Sequence, residues 1–265
     1  MSGWEVHAVR YAEQTERFRG QNFLFDDDHA APYPIDFYTW VLRRDDRTIL
    51  VDTGYDAAEA QARNRPLTLD PAAALAPLGL TPETVTEIVV THLHFDHAGG
   101  LHLFPNARLH LQAAEMAYAT GPCMCHDVLR QPFTGAHVCE AVMRLYSGKI
   151  VFHDGDAEIA DGVTVHRIGG HSRGLQAVRV RTEAGYLVLA SDAAHFYENV
   201  RTRKPFPIVV DLEDMLAGFE TLKRLATAPR LIVPGHDPLV QTHFPQGPAG
   251  HVWRLDRGPL RDPPI

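Results

Sequence analysis

The stretch Thr91-His92-Leu93-His94-Phe95-Asp96-His97-Ala98-Gly99-Gly100 decides how the rest of this chain is read. It follows Glu87-Ile88-Val89-Val90, an apolar, β-branched run that reads as a buried strand. Alternation along an extended backbone puts His92 and His94 on one side as the chain leaves the sheet. Asp96 and His97 follow in a turn, which Ala98-Gly99-Gly100 allows to pack closely. Four ligand-type side chains at one strand end can converge on a small volume, and imidazole nitrogen with carboxylate oxygen is what zinc and similar divalent ions prefer.

Working outward, other runs also end in polar residues: Leu50-Val51-Asp52-Thr53-Gly54, Leu187-Val188-Leu189-Ala190-Ser191-Asp192 and Leu231-Ile232-Val233-Pro234-Gly235-His236-Asp237. Gly169-Gly170-His171-Ser172-Arg173-Gly174 follows a further strand candidate, Val163–Ile168. Strands are also expected at Phe37–Arg43, Thr48–Asp52, Glu87–Thr91, Arg108–Gln112, Ala177–Thr182, Tyr186–Ala190 and Leu231–Val233. Hairpin turns are expected at Arg44–Arg47 and Glu183–Gly185. Helices are expected at Pro71–Leu78, with Asp70 as cap, at Ala113–Ala119 and at Asp211–Ala226. Strands interleaved with helices, with hairpins in both halves, indicate an α/β layered domain with mixed sheets. One domain over residues 1–265 is expected, with residues 118–148 read as a pocket-shaping insertion.

Composition narrows the setting. A formal charge of −8 argues against nucleic acid and anionic membrane as partners. No apolar run approaches the roughly 20 residues that span a bilayer. Cys123, Cys125 and Cys139 are an odd, clustered set rather than a disulfide framework, and no secretory signal is read at the N-terminus, so a cytoplasmic location is expected. The sixteen histidines are too many for one site, so position must decide which carry chemistry.

The His-x-His-x-Asp-His pattern at 92–97 resembles the signature of the metallo-β-lactamase superfamily, and the remaining motifs follow in family order from Leu50 to His236. The resemblance implies an α/β, αββα sandwich of two mixed β-sheets flanked by helices. It implies two divalent metal ions, zinc first, with iron, manganese and cobalt open. His92, His94 and His171 would hold one ion; Asp96, His97 and His236 would hold the other; Asp192 would bridge them and Asp52 would support the ligands. A homodimer is what relatives of this kind imply.

In such a site a bridging hydroxide attacks a carbonyl carbon, and Asp96 is the candidate to orient it and pass a proton to the leaving group. The chain looks most like the N-acyl homoserine lactonase and 4-pyridoxolactonase group, which implies a hydrolase that opens a small lactone or related cyclic acyl compound. The same chemistry would serve a glyoxalase II-type thioesterase or an amide or ester hydrolase; an iron-dependent persulfide oxidase and a non-catalytic metal-binding protein are the further alternatives. One position departs from that group. Its tyrosine three residues after the bridging aspartate is replaced here by His195, so His195, with Tyr197 second, is the candidate to hydrogen-bond the substrate. Arg173, Arg201, Arg203 and Lys204 are candidates to meet a substrate carboxylate, although each also reads as solvated surface. Phe23, Phe25, Phe133, Phe196 and Phe206 are candidate apolar walls.

Overall fold

Trp40 and Leu42 face one side of their strand and Val41 the other, yet all three are buried. A strand apolar on both faces needs a layer on each side. The computed structural model, which describes residues 3–265, supplies those layers. One sheet contains β1 (Glu5–Gln14), β2 (Ile35–Arg44), β3 (Arg47–Val51), β4 (Glu87–Val89), β5 (Arg108–Gln112) and β6 (Ile150–His153). The other contains β7 (Ala157–Ala160), β8 (Val163–Arg167), β9 (Gln176–Thr182), β10 (Gly185–Ser191) and β11 (Ile232–Pro234), and β12 (Val252–Arg254) returns to the first. The orders are β12-β1-β2-β3-β4-β5-β6 and β11-β10-β9-β8-β7. Both sheets are mixed: β3 to β6 run parallel and β12 to β3 antiparallel, while only the β10–β11 pair is parallel in the second.

Period-two alternation assigns each residue to a layer. Trp40, Leu42, Ile49, Val51, Leu187 and Leu189 pack between the sheets. Val41 and Leu50 face helices on the outer side of the first sheet. Val188 and Ala190 face α7 (Leu212–Leu225) across the second, against Phe219 and Leu222. Each such side chain contributes roughly 1.5–3 kcal/mol on burial. The layers are therefore the expected αββα sandwich. Among the described residues no helix is long and apolar enough to cross a membrane.

Several expectations need adjusting. The Pro71–Leu78 helix is a 3₁₀ turn over Ala73–Leu78, because Pro77 lacks the N–H that an α-helix would need. Its cap position is Ala72 rather than Asp70, whose carboxylate braces the turn just before it by accepting from the Ala72 and Ala73 amides at 3.0 and 2.9 Å. Asp211 caps α7 rather than starting it. β1, β6, β7 and β12 were not expected. β6 and β7 are short, half-buried edge strands of four residues each. Residues 118–148 hold the end of α3 (Ala113–Ala119), α4 (Asp127–Arg130) and α5 (Gly135–Tyr146). Buried Arg144 ties α5 down by donating to the carbonyls of Leu101, Phe104 and Ala107.

Candidate metal centre

β4, β8, β10 and β11 all end at one edge of the sandwich, and the loops that leave them bring the histidines together. The glycines after His97 are required by contact: a Cβ on Gly100 would lie 2.5 Å from the Thr53 carbonyl oxygen. Asp52 and Ser191 both adopt left-handed backbone, at φ 60° and 46°, where each strand breaks into the site. Thr91 joins them, with its Oγ1 2.7 Å from Asp52 Oδ2 and 2.8 Å from Ser191 Oγ.

The buried side chains converge on Asp192. Its Oδ1 lies 3.2 Å from His97 Nε2 and 3.0 Å from His236 Nε2, and its Oδ2 lies 3.1 Å from His171 Nε2. His171 Nε2 is also 3.0 Å from His94 Nδ1, and Asp96 is 3.8 Å from His97 Nε2. Ligand-type atoms fall into overlapping groups within 4.8 Å: His92, His94 and His171; His92, His97 and Asp192; Asp96, His97 and His236; and His171, Asp192 and His195. All seven candidate ligands and His195 are thus brought together.

Whether these residues fit a metal pair can be tested on their outer atoms. His97 Nδ1 meets Asp52 Oδ2, His171 Nδ1 meets the Ile208 carbonyl and His236 Nδ1 meets the Asp36 carbonyl, each at 2.8 Å. His92 Nδ1 meets Thr91 Oγ1 at 3.1 Å. These acceptors hold the proton on Nδ1 and aim the Nε2 lone pair inward. His92 Nε2 and His97 Nε2 are buried without any hydrogen-bond partner. Converging lone pairs around a buried carboxylate fit divalent cations and little else.

Electrostatics agree. Burial, followed by the neighbouring histidines, holds His92 and His94 well below the ordinary imidazole range, so both are neutral. At His97 and His236 burial opposes charge, but Asp192 and its carboxylate neighbours outweigh it and raise both. One residue not singled out in the sequence supports the loops. Glu115 of α3 is fully buried; its Oε1 accepts from the Leu93 amide and its Oε2 from the Gly174 amide, both at 2.9 Å, and from Ser172 Oγ. It ties the His92–His94 segment to the His171 loop. An acid on a buried helix face was its only sequence signal.

The matching profile over residues 38–236 is that of the metallo-beta-lactamase superfamily. The chain belongs to this superfamily. An N-acyl homoserine lactonase of Bacillus cereus is 29% identical over 216 residues, 76% of this chain and 80% of that protein. Among solved structures, a quorum-quenching N-acyl homoserine lactone hydrolase superposes with a TM-score of 0.71 at 25% identity, covering 90% of this chain and 94% of that one. A dizinc quorum-quenching lactonase in complex with a product matches in fold, with a TM-score of 0.68 at 19% identity over 90% and 89% of the two chains.

The other candidates separate. His195 lines the cavity above the cluster, with Nε2 3.0 Å from Asp192 Oδ2 and its ring stacked on Phe206 at 3.5 Å. Tyr197 does not reach this cavity: it starts α6 (Tyr197–Thr202), packs between the sheets, and its buried hydroxyl has no partner. The structure therefore brings His195, but not Tyr197, to the cavity. Of the phenylalanines, Phe206 lines the cavity and Phe133 packs edge-on against His94 at 4.6 Å. Phe23 and Phe196 pair in the core, and Phe25 is 72% exposed. Arg201, Arg203 and Lys204 face Glu198, Glu220 and Asp26 at 3.7, 3.4 and 2.6 Å. Arg173 lies over the Tyr118 ring on a separate cleft.

Proposed function

We propose that this chain is a two-metal hydrolase that opens a small lactone. The observation that carries the reading is Asp192, buried with a different pair of histidines at each carboxylate oxygen, in a chain similar over most of its length to an N-acyl homoserine lactonase. His92, His94 and His171 would hold one ion, Asp96, His97 and His236 the second, and Asp192 both. Ions bound there supply Lewis acidity towards a carbonyl oxygen and acidify water. Asp52 holds His97 by its Nδ1 proton, and the Ile208 and Asp36 carbonyls hold His171 and His236 in the same way. Asp96, at the open side of the cluster, is placed to receive a proton and return it to the departing ring oxygen. His195, on the cavity wall, is the residue proposed to hydrogen-bond the substrate in place of the family tyrosine. Phe37, Phe206 and Ile35 give the cavity of about 60 Å³ an apolar wall. Within the segment 118–148, Tyr118, Leu129 and Pro132 line an adjoining apolar cavity of about 150 Å³ that also reaches His94 and His171, which supports its pocket-shaping role.

Zinc is the ion proposed, supported by the nitrogen and oxygen donor set and the dizinc neighbour. The three cysteines, free in the fold, support a cytoplasmic location, and the acidic charge supports a small molecule rather than nucleic acid or membrane as partner. A homodimer is proposed by likeness alone, to be checked by light scattering. The deciding experiment is proton release by the metal-loaded enzyme on matched panels of lactones and thioesters. Turnover confined to thioesters would overturn the lactone reading.

A further inference from the structure

The cavity that contains Asp192 and His195 is also lined by Arg17 and Arg65. Arg17 lies in the loop after β1, and Arg65 follows α1 (Ala57–Arg63) just beyond its left-handed cap Asn64. Neither is near the metal motifs in sequence. Both are half-buried, and both guanidinium groups are held by neutral acceptors. Arg17 donates Nε to Asn22 Oδ1 and Nη2 to the Gln21 carbonyl at 2.9 Å; Arg65 donates Nη1 to Gln14 Oε1 at 2.7 Å. Asn22 is itself fully buried and donates to the Tyr33 carbonyl, so Arg17 is positioned rather than loose. Arg17 also lies 5.4 Å from the centroid of the Phe206 ring, on which His195 stacks.

Nearby arginines behave differently. Arg10, Arg19 and Arg63 each meet a carboxylate, on Glu13, Asp26 and Glu59. Among the described residues no carboxylate oxygen lies within ion-pair distance of Arg17 or Arg65. Two cations side by side in a half-buried cavity repel each other, in a chain with 33 acidic against 25 basic residues. Burial and the neighbouring Arg65 push the Arg17 guanidinium down to about 10. Asp96 is the acid that acts on Arg17 from a distance, and two divalent ions would outweigh Asp52, Asp96 and Asp192 together. The arginines then remain as surplus charge at the mouth of the site. Planar guanidinium groups fit a carboxylate in pairs.

We propose that Arg17 and Arg65 form an anion seat at the rim of the metal cavity, and that the substrate carries a carboxylate beside its reacting acyl group. The reacting group as a lactone rests on the reading above; the seat does not.

The test compares γ-butyrolactone-γ-carboxylate with its carboxamide on the metal-loaded enzyme. The carboxylate is expected to be preferred at least tenfold in kcat/KM, mainly through KM. Arg17→Gln and Arg65→Gln should each reduce that preference about tenfold or more, the effect of losing a charged hydrogen bond. Arg203→Gln, at an exposed arginine facing Glu220, should leave the preference unchanged. Equal kcat/KM for the two lactones in the wild type overturns the seat and leaves the lactone reading standing. If neither lactone is opened, that reading fails, and calorimetric titration of wild-type enzyme with pyroglutamate and its amide tests the seat alone. Saturable binding of pyroglutamate at least tenfold tighter than the amide supports it; equal binding, or none, overturns it.

Discussion

The floor of the cavity comes from strand ends and its rim from remote loops, and the two are held in different ways. On the floor, His97, His171 and His236 each have an outer nitrogen pinned at 2.8 Å, and Asp192 is almost fully buried. On the rim, Arg17 and Arg65 are half-buried and bonded to neutral groups of the loop before β2 or the end of β1. The floor is strongly determined, because His97, His171 and His236 are each fixed by backbone or a buried carboxylate. The rim depends on loops that can vary while the floor stays constant. Reaction class would then belong to the floor and substrate choice to the rim.

Removing Asp192 breaks the floor most severely. Asp192→Ala should lose a metal ion, read as stoichiometry by elemental analysis, and lower kcat about a thousandfold, equivalent to several kcal/mol of lost transition-state stabilisation. Retained dimetal content with near-normal kcat would sink the bridging role. Acidification comes next. Because His97 and His236 are raised in the metal-free protein, they are protonated at a higher pH than ordinary histidine, and ions must displace those protons. Metal affinity should therefore fall as pH drops from 8 to 6, by at most about tenfold per pH unit for each proton displaced; a chelator competition that is flat across that range contradicts it.

Smaller effects sharpen the boundary between floor and rim. Asp52→Asn should weaken metal binding by about 10- to 100-fold, because it loosens His97 without removing a ligand. His195→Ala should cost roughly a hundredfold in kcat/KM with both ions retained; loss of an ion in that variant would move His195 from the wall into the ligand set. Tyr197→Phe should leave kinetics unchanged and shift stability by less than about 1 kcal/mol, since the hydroxyl it removes has no partner. A kinetic defect there would return Tyr197 to the site.

The candidate ligands of the floor were legible in local sequence pattern. Each candidate ligand ends an apolar run or follows one by a few residues, so strand alternation and a short glycine-containing turn suffice to aim it, and these are local facts. The sandwich was legible for a related reason: runs such as Val41–Leu42 and Leu187–Ala190 are apolar on both faces and need layers on both sides. Tertiary structure alone decided the rest. Arg17 and Arg65 reach the cavity from elements far apart in the chain, Glu115 braces the loops around it from α3, and nothing in their flanking residues marks them. Tyr197 shows the converse, lying five residues from Asp192 yet facing the core between the sheets. β6 and β7 are four-residue edge strands, each paired on one side only, and runs that short do not separate from loop in the sequence. Local pattern fixes where a strand ends and what it offers there; only packing fixes which distant side chains look into the same space.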